Sequence, residues 1–265
     1  MNAAVTLERL RAMKKDAEKI VSLTAYDACF ARVLNEAGVE VLLVGDSLGM
    51  VLHGEQTTLR VTVDDMVYHT RQVARGAGLS FILADMPFMS YSTPPLALAS
   101  AARLVGEGGA HMVKLEGASW LCATVEQLAV RGIPVCAHLG LTPQWVNKFS
   151  GFRVQGRAPE AARAMLDDAR ALESAGAEML VLESVPAGLA GKITAAVAMP
   201  VIGIGAGPDC DGQVLVLHDL LGISGRAPRA ARNFLAGGAD IRSAVQAYVR
   251  AVKDRTFPGP ENTFT

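Results

Sequence analysis

The hydrophobic positions of this chain fall into short continuous runs, and between the runs apolar residues recur every three or four positions. Short continuous apolar runs are typical of strands buried on both faces, as in a parallel sheet covered by helices. The pattern predicts eight strands, at residues 20–24, 39–44, 81–84, 111–115, 133–137, 178–182, 200–204 and 214–217.

The segments between these runs have the spacing of helices, most clearly at 63–77 and 159–175. Several end on a glycine just before the next apolar run, as at Ala37-Gly38 and Ala175-Gly176, and glycine commonly follows the end of a helix. Eight strands alternating with about eight helices predict an α/β protein with a (β/α)₈ TIM barrel. An open doubly wound sheet is the main alternative.

No shift in composition and no linker rich in proline or serine divides the 265 residues. We therefore expect a single domain over 1–265, because barrels of this length are commonly one domain. An extra N-terminal helix at 5–18 would precede the barrel, and a C-terminal extension at 250–265 would follow it.

Composition narrows the functional classes. The chain is 51% hydrophobic, carries a formal net charge of −1 and has no basic block, which argues against nucleic-acid binding. Its four cysteines form no C-x-x-C pair, as expected for reduced intracellular thiols. The first residues lack the apolar segment of a signal peptide, and proline or glycine interrupts the long uncharged stretches. We expect a cytoplasmic protein without membrane helices.

Polar side chains follow or end most of the predicted strands. In a parallel barrel the C-terminal strand ends face one mouth, so these side chains should converge there. Lys114 and Glu116 are two residues apart and therefore point to the same face of their strand. The candidate site comprises Asp46, Ser47, Asp85, Lys114, Glu116, His138 and Glu183.

Each of these residues also has an ordinary structural interpretation. Asp46 and Ser47 suit a turn or a helix start, Lys114 and Glu116 suit an ion pair, and a single buried histidine is usually structural. Several carboxylates in one cavity, however, repel one another unless a cation or shared protons compensate. Oxygen ligands without thiolates or paired histidines favour Mg²⁺, leave Mn²⁺ possible and disfavour Zn²⁺.

The glycines at 203–207 lie in the stretch "IGIGAGPDCDG". Proline at position 208 breaks the dinucleotide-binding pattern G-x-G-x-x-G, and the stretch follows the seventh strand rather than the first. Two interpretations stay open: a backbone that approaches a ligand, or a tight loop that needs small residues.

Longer motifs occur together and in order along the chain, among them "TAYD" (24–27), "VGDSLGM" (44–50), "ADMPFMSY" (84–91), "MVKLEG" (112–117), "AHLGLTPQ" (137–144), "FRVQGR" (152–157) and "LVLESVP" (180–186). With these motifs the chain resembles the ketopantoate hydroxymethyltransferase family over nearly its whole length. The resemblance implies a (β/α)₈ barrel that forms homo-oligomers, typically decamers.

The resemblance further implies hydroxymethyl transfer from 5,10-methylenetetrahydrofolate to 3-methyl-2-oxobutanoate, giving 2-dehydropantoate through an enolate stabilised by Mg²⁺. By the same resemblance, Asp46 and Asp85 are metal ligands and Glu116 belongs to the metal environment through water. The keto acid would contact Asp46, Ser47, Asp85 and Lys114. Glu183 matches the family's proton acceptor, and His138 falls in a pocket motif without a firm role.

Two alternatives stay open. One is a Mg²⁺-dependent 2-oxo-acid lyase or mutase of the phosphoenolpyruvate mutase-like barrel group, although the K-x-C-G-H-type loop of such lyases is missing from this sequence. The other is a barrel that binds these ligands without turning them over.

Overall fold

A computed structural model describes residues 3–225 and 228–265 of the chain. Eight parallel strands close into a barrel in which each strand pairs with its sequence neighbours and the last pairs with the first. The strands are Ile20–Thr24 (β1), Val41–Val44 (β2), Phe81–Asp85 (β3), Met112–Glu116 (β4), Val135–Gly140 (β5), Met179–Glu183 (β6), Val201–Ile204 (β7) and Gly212–Leu215 (β8). The predicted (β/α)₈ barrel is confirmed, and the open sheet is excluded.

Helices connect the strands on the outside of the barrel. Within the described residues they are Leu7–Lys15 (α1), Ala28–Glu36 (α2), Leu48–Val51 (α3), Val63–Gly76 (α4), Pro94–Gly106 (α5), Cys122–Ala129 (α6), Val146–Phe149 (α7), Pro159–Ser174 (α8), Ala187–Ala196 (α9), Leu217–Leu220 (α10) and Ile241–Lys253 (α11). Single 3₁₀ turns lie at Ser119–Leu121, Pro143–Trp145, Leu235–Gly237 and Pro260–Asn262.

The predicted strand positions hold, with informative shifts at their ends. Strands β3, β4 and β6 each run one residue further than expected, so their terminal carboxylates belong to the strands themselves. The eighth strand begins two residues earlier than expected, at Gly212, because barrel closure pairs Gly212 with Ile20. A Cβ on Gly212 would lie 2.4 Å from the Ile20 carbonyl oxygen, which explains glycine at this closure point.

The barrel interior changes from apolar to ionic along each strand. Alternate residues of a strand point to one face. On β4, Met112 belongs to the apolar interior cluster, whereas Lys114 and Glu116 on the same face are charged. On β3, Phe81 and Leu83 precede Asp85 in the same way. The lower barrel is therefore an apolar core, and its C-terminal end carries the charged groups.

The extra N-terminal helix α1 closes the opposite end. Its Leu10 and Met13 are fully buried and pack with the apolar residues of the barrel interior. Lys14 fixes the helix by an ion pair of 2.8 Å with Asp211 and by hydrogen bonds to two backbone carbonyls. The residues after α11 return to the barrel wall, where Phe257 packs with Tyr248 at a centroid distance of 5.7 Å.

The glycines at 203–207 are explained by close packing. A Cβ on Gly203 would lie 2.9 Å from the Cys210 sulfur, and one on Gly207 would lie 2.5 Å from the Ala187 Cβ. Gly207 also has a φ of 83°, which side chains disfavour. These contacts support the tight-loop interpretation.

In the described part of the chain none of the helices combines the length and apolarity needed to cross a membrane.

Candidate functional site

The seven predicted site residues lie together at the C-terminal mouth of the barrel. Asp46 and Ser47 follow β2 after Gly45, and Ser47 precedes the short helix α3. The strands β3 to β6 supply the others: Asp85, Glu116 and Glu183 end β3, β4 and β6, whereas Lys114 and His138 lie inside β4 and β5. Parallel pairing sets Asp85 beside Lys114 and Glu116 beside His138.

Four charged groups form a buried cluster: Asp46, Asp85, Lys114 and Glu116, each at most 3% exposed. The Lys114 ammonium lies 2.8 Å from Asp85 Oδ1 and 3.9 Å from Glu116 Oε1. The Asp46 backbone N–H donates to Asp85 Oδ2 at 3.0 Å. Neighbouring strands thus position Asp85, Lys114 and Glu116, and the turn after β2 positions Asp46.

Three carboxylates and one ammonium give the ionised cluster a formal charge of −2. Burial raises the pKa of Asp46, and the neighbouring charges of Asp85 and Glu116 raise it further. For Lys114, burial acts to lower the pKa, but the charges of Asp85, Glu116 and Asp46 outweigh burial and raise it. The Lys114 side chain therefore stays charged, and the cluster as a whole carries more negative than positive charge.

Gln144 bridges several members of this cluster, a role that the sequence analysis did not identify. Its side-chain amide donates to Asp46 Oδ2 and to the Met86 carbonyl, both at 2.9 Å. Its backbone N–H donates to Glu116 Oε2 at 3.0 Å, and its side-chain oxygen accepts from the Tyr91 hydroxyl at 2.5 Å. Gln144 ends the motif "AHLGLTPQ", but a neutral amide in a loop carries no charge signal that would mark it.

His138 connects the cluster to Glu183. Its Nδ1 lies 3.6 Å from Glu116 Oε1, and its Nε2 lies 3.4 Å from Glu183 Oε2. Burial and the charge of Lys114 act to lower the pKa of His138, but Glu116 and Glu183 outweigh them and raise it. The Glu183 side chain is 20% exposed, so this carboxylate stands at the boundary between the buried cluster and the open mouth.

Ser47 lies at the other side of the cluster. Its hydroxyl is 2.9 Å from the Tyr26 hydroxyl, and either oxygen can be the donor. A Cβ on the preceding Gly45 would lie 2.7 Å from Ser47 Oγ, so glycine is needed for this close turn. Ser47 therefore presents a fixed hydroxyl beside Asp46.

The donor chemistry of the cluster fits a divalent cation. Asp85 Oδ1 is buried against the Lys114 ammonium at 2.8 Å, and this one positive charge is outnumbered by the three buried carboxylates of the cluster. No three His, Cys, Asp or Glu side chains in residues 3–225 and 228–265 form a complete ligand set. Mg²⁺ does not require one, because it commonly binds one or two carboxylates and keeps several waters. Asp46, Asp85 and Glu116 each accept a protein N–H through one carboxylate oxygen and could offer the other oxygen to a cation.

The family model and the most similar relatives agree on one protein family. Residues 4–260 match the family model described as ketopantoate hydroxymethyltransferase. The 3-methyl-2-oxobutanoate hydroxymethyltransferase of Nitrosococcus oceani is 61% identical over 255 residues, covering 96% of this chain and 97% of the relative. The enzyme of the same name from Marinobacter nauticus is 60% identical, covering 98% and 99%.

Solved structures show the same fold at much lower identity. A phosphonopyruvate hydrolase, in a complex with oxalate and Mg²⁺, superposes with a TM-score of 0.62 at 12% identity, covering 97% of this chain and 92% of that one. A 2,3-dimethylmalate lyase of the phosphoenolpyruvate mutase and isocitrate lyase superfamily gives 0.56 at 15% identity, covering 98% and 100%. At such identity the likeness concerns the barrel alone.

Proposed function

Since the chain belongs to the ketopantoate hydroxymethyltransferase family, and is therefore a hydroxymethyltransferase of pantothenate biosynthesis, we propose that the mouth of its barrel transfers a one-carbon unit from 5,10-methylenetetrahydrofolate to 3-methyl-2-oxobutanoate with the help of Mg²⁺. The observation that carries this proposal is the juxtaposition of a buried, cation-deficient carboxylate cluster with the partly exposed Glu183. The cluster suits a 2-oxo acid with its metal, and Glu183 suits proton removal from the same molecule.

In this proposal the buried cluster binds the keto acid. Lys114 keeps its charge because three carboxylates surround it, so its ammonium can attract the negative oxygens of a 2-oxo acid. Ser47 adds a hydroxyl beside Asp46. Asp46 and Asp85 would hold Mg²⁺, with Glu116 contributing through water. When bound, the metal supplies Lewis-acid polarisation of the keto oxygen, which acidifies the neighbouring C3 hydrogen.

In this proposal Glu183 removes the C3 proton of the keto acid. Its carboxylate lies across the mouth from the cluster and 3.4 Å from His138 Nε2, so the imidazole can orient it. Glu183 takes the C3 proton of the keto acid, which leaves an enolate. The enolate carbon then attacks the methylene carbon of the folate donor. The C–C bond forms as one C–N bond of the donor breaks, and water then forms the C–O bond as the second C–N bond breaks. The proton held by Glu183 and one proton of the water pass to the two nitrogens of the leaving tetrahydrofolate.

Nuclear magnetic resonance of the two half-reactions tests this proposal. Purified protein, Mg²⁺ and 3-methyl-2-oxobutanoate are incubated in D₂O, with and without 5,10-methylenetetrahydrofolate, and a parallel sample contains EDTA. The proposal predicts loss of the C3 proton signal without folate and a new hydroxymethyl signal with it, both dependent on metal. Loss of the C3 signal without product would reject the folate donor. In a separate incubation with 2,3-dimethylmalate and Mg²⁺, release of pyruvate would instead favour a lyase.

We further propose that the enzyme works as a cytoplasmic homo-oligomer in which each 265-residue chain contributes one domain. The family resemblance supports a decamer. Sedimentation equilibrium of the purified protein measures its mass against the 27.8 kDa of one chain. A monomer at micromolar concentration would exclude this proposal.

A further inference from the structure

A second cavity adjoins the site and is not used by the keto-acid half of the reaction. Its volume is about 270 Å³, and it lies between the ends of β4 and β5, the loop before α8, and α8 itself. Buried His138, only 2% exposed, lines its inner side, and Trp120, 54% exposed, stands at its outer side. Because His138 also contacts Glu183, the cavity opens directly beside the proposed base.

The cavity has an aromatic wall made of Trp120, Trp145 and Phe149. The centroids of the two indole rings are 6.0 Å apart, and Trp145 stacks on Phe149 at 6.3 Å with an interplanar angle of 26°. Aromatic rings hold flat heterocycles by stacking whatever their exact substitution. These two residues are the only tryptophans in the chain.

Many of the other lining residues are small, and with Leu139 and Met165 they limit the space against the aromatic wall. Gly117, Ala118, Gly140, Gly156 and Ala164 all line the cavity. The volume of 270 Å³ is just below the range of roughly 300–1,000 Å³ in which pockets enclose a drug-sized molecule. The space therefore suits a single flat ring system, and any long substituent of that ring must lie outside.

Charges at the rim have the signs that a reduced folate requires. Asp168 lines the cavity and accepts the Ser119 N–H through Oδ1, so a carboxylate is fixed within reach of a ring edge that carries N–H groups. Lys148 lies over the Trp145 ring, 4.5 Å from its centroid. Lys148, Arg153 and Arg157 are exposed on the segment beside the cavity, where they can attract an anionic tail.

We propose that this cavity binds the bicyclic pterin ring of the folate donor, with the ring against Trp120 and Trp145 and its aminopyrimidine edge toward Asp168. This assignment rests on the proposed function, since it gives that function's second substrate a place. The ring enters beside His138, which brings the donor's methylene group to the enolate. The glutamate tail of the donor stays outside, near the basic segment 148–157.

Intrinsic fluorescence tests occupancy directly, because both tryptophans line the cavity. Tetrahydrofolate and a tetrahydropterin without the tail are titrated into the protein in the presence of Mg²⁺ and 3-methyl-2-oxobutanoate. N-acetyltryptophanamide corrects for light absorbed by the ligands. We expect saturable quenching by both compounds and none by 4-aminobenzoylglutamate, which is the tail without the pterin. Quenching by the tail fragment but not by the pterin would overturn the assignment.

Two variants measure the contribution of the aromatic wall. Trp145→Ala should raise the KM for the folate and the dissociation constant of tetrahydropterin roughly 5- to 100-fold, the range found when a stacking aromatic is replaced by alanine. Trp145→Phe keeps a ring and should restore most of the affinity. Each variant retains Trp120 as the fluorescent reporter. Tyr68→Ala, which removes an exposed ring on α4 far from the cavity, is the matched control.

Metal-dependent C3 proton exchange, which needs no folate, separates the possible failures. If the parent protein exchanges C3 but forms no hydroxymethyl product, the proposed function fails. If the parent forms product and Trp145→Ala has an unchanged folate KM, the function stands and the pterin assignment is wrong. A higher folate KM with unchanged C3 exchange supports the assignment, because a disturbed fold would slow both reactions.

Discussion

Lys114→Met removes the one ammonium group from the buried cluster while keeping a side chain of similar length. Asp46, Asp85 and Glu116, each at most 3% exposed, then lie together without the Lys114 charge that partly neutralises them in the parent protein. Removing one partner of a buried ion pair typically costs 3–5 kcal/mol, because the remaining charge is left uncompensated. We expect the metal-free variant to lose about 3–5 kcal/mol of unfolding free energy at pH 8.

The size of this loss should depend on pH. The pKa of Asp46 is already raised, and Lys114 is one of the groups that hold it down, so the substitution raises it further. An acid whose pKa is higher in the folded state binds more protons when folded, so the folded state gains stability as the pH falls. The destabilisation relative to the parent should therefore shrink between pH 8 and pH 5.5. Bound Mg²⁺ should also recover part of it, because a ligand that binds only the folded state adds stability.

Urea unfolding of both proteins, with EDTA and with Mg²⁺, measures these differences. The control is Arg103→Met, since Arg103 makes equally short ion pairs, 2.7 Å to Asp64 and 2.9 Å to Glu107, but is 40% exposed. Exposed pairs of this kind often contribute nothing measurable, so its unfolding midpoint should stay unchanged. A Lys114→Met protein as stable as the parent at pH 8, or equally destabilised at both pH values, would show that Lys114 does not balance the buried carboxylates.

Four further substitutions address other parts of the molecule. Glu183→Gln should abolish C3 proton exchange but leave Mg²⁺-dependent keto-acid binding intact by calorimetry, and exchange at the parent rate would exclude Glu183 as the base. Asp85→Ala should weaken Mg²⁺ and keto-acid binding together, so an unchanged Mg²⁺ titration would rule out ligation by Asp85. Gln144→Ala leaves Asp46 Oδ2 and the Met86 carbonyl without their amide donor and should cost about 2–5 kcal/mol in urea unfolding, so an unchanged stability would exclude this bridging role. Leu10→Ala should cost roughly 2–5 kcal/mol because the side chain is fully buried, and a smaller loss would show that α1 does not seal the barrel tightly.

The strands and the mouth could be predicted because both follow from local pattern and parallel topology. Continuous apolar runs located the strands, and Asp85, Glu116 and Glu183 converge simply because parallel strands end on one side. The start of β8 could not be predicted, since Gly212 and Gln213 are not apolar and join the strand only because Gly212 pairs with Ile20 on closure of the barrel. The sequence analysis did not identify Gln144, Trp120 or Trp145 as site residues. They lie in short connecting segments, and hydrophobic periodicity does not predict where such segments place a side chain.

The helix that seals the base of the barrel has a kinetic consequence. Leu10 and Met13 block the lower end, so in the described part of the chain the charged cluster meets solvent through the upper mouth. Two substrates that use the same entrance bind in a fixed order when one of them binds deeper than the other. Under the function proposed above, the keto acid binds in the buried cluster and the folate donor binds nearer the opening. The keto acid must then bind before the folate donor, and tetrahydrofolate must leave before the hydroxymethyl product. Steady-state kinetics of this architecture should thus show compulsory order, with the keto acid first in and its product last out.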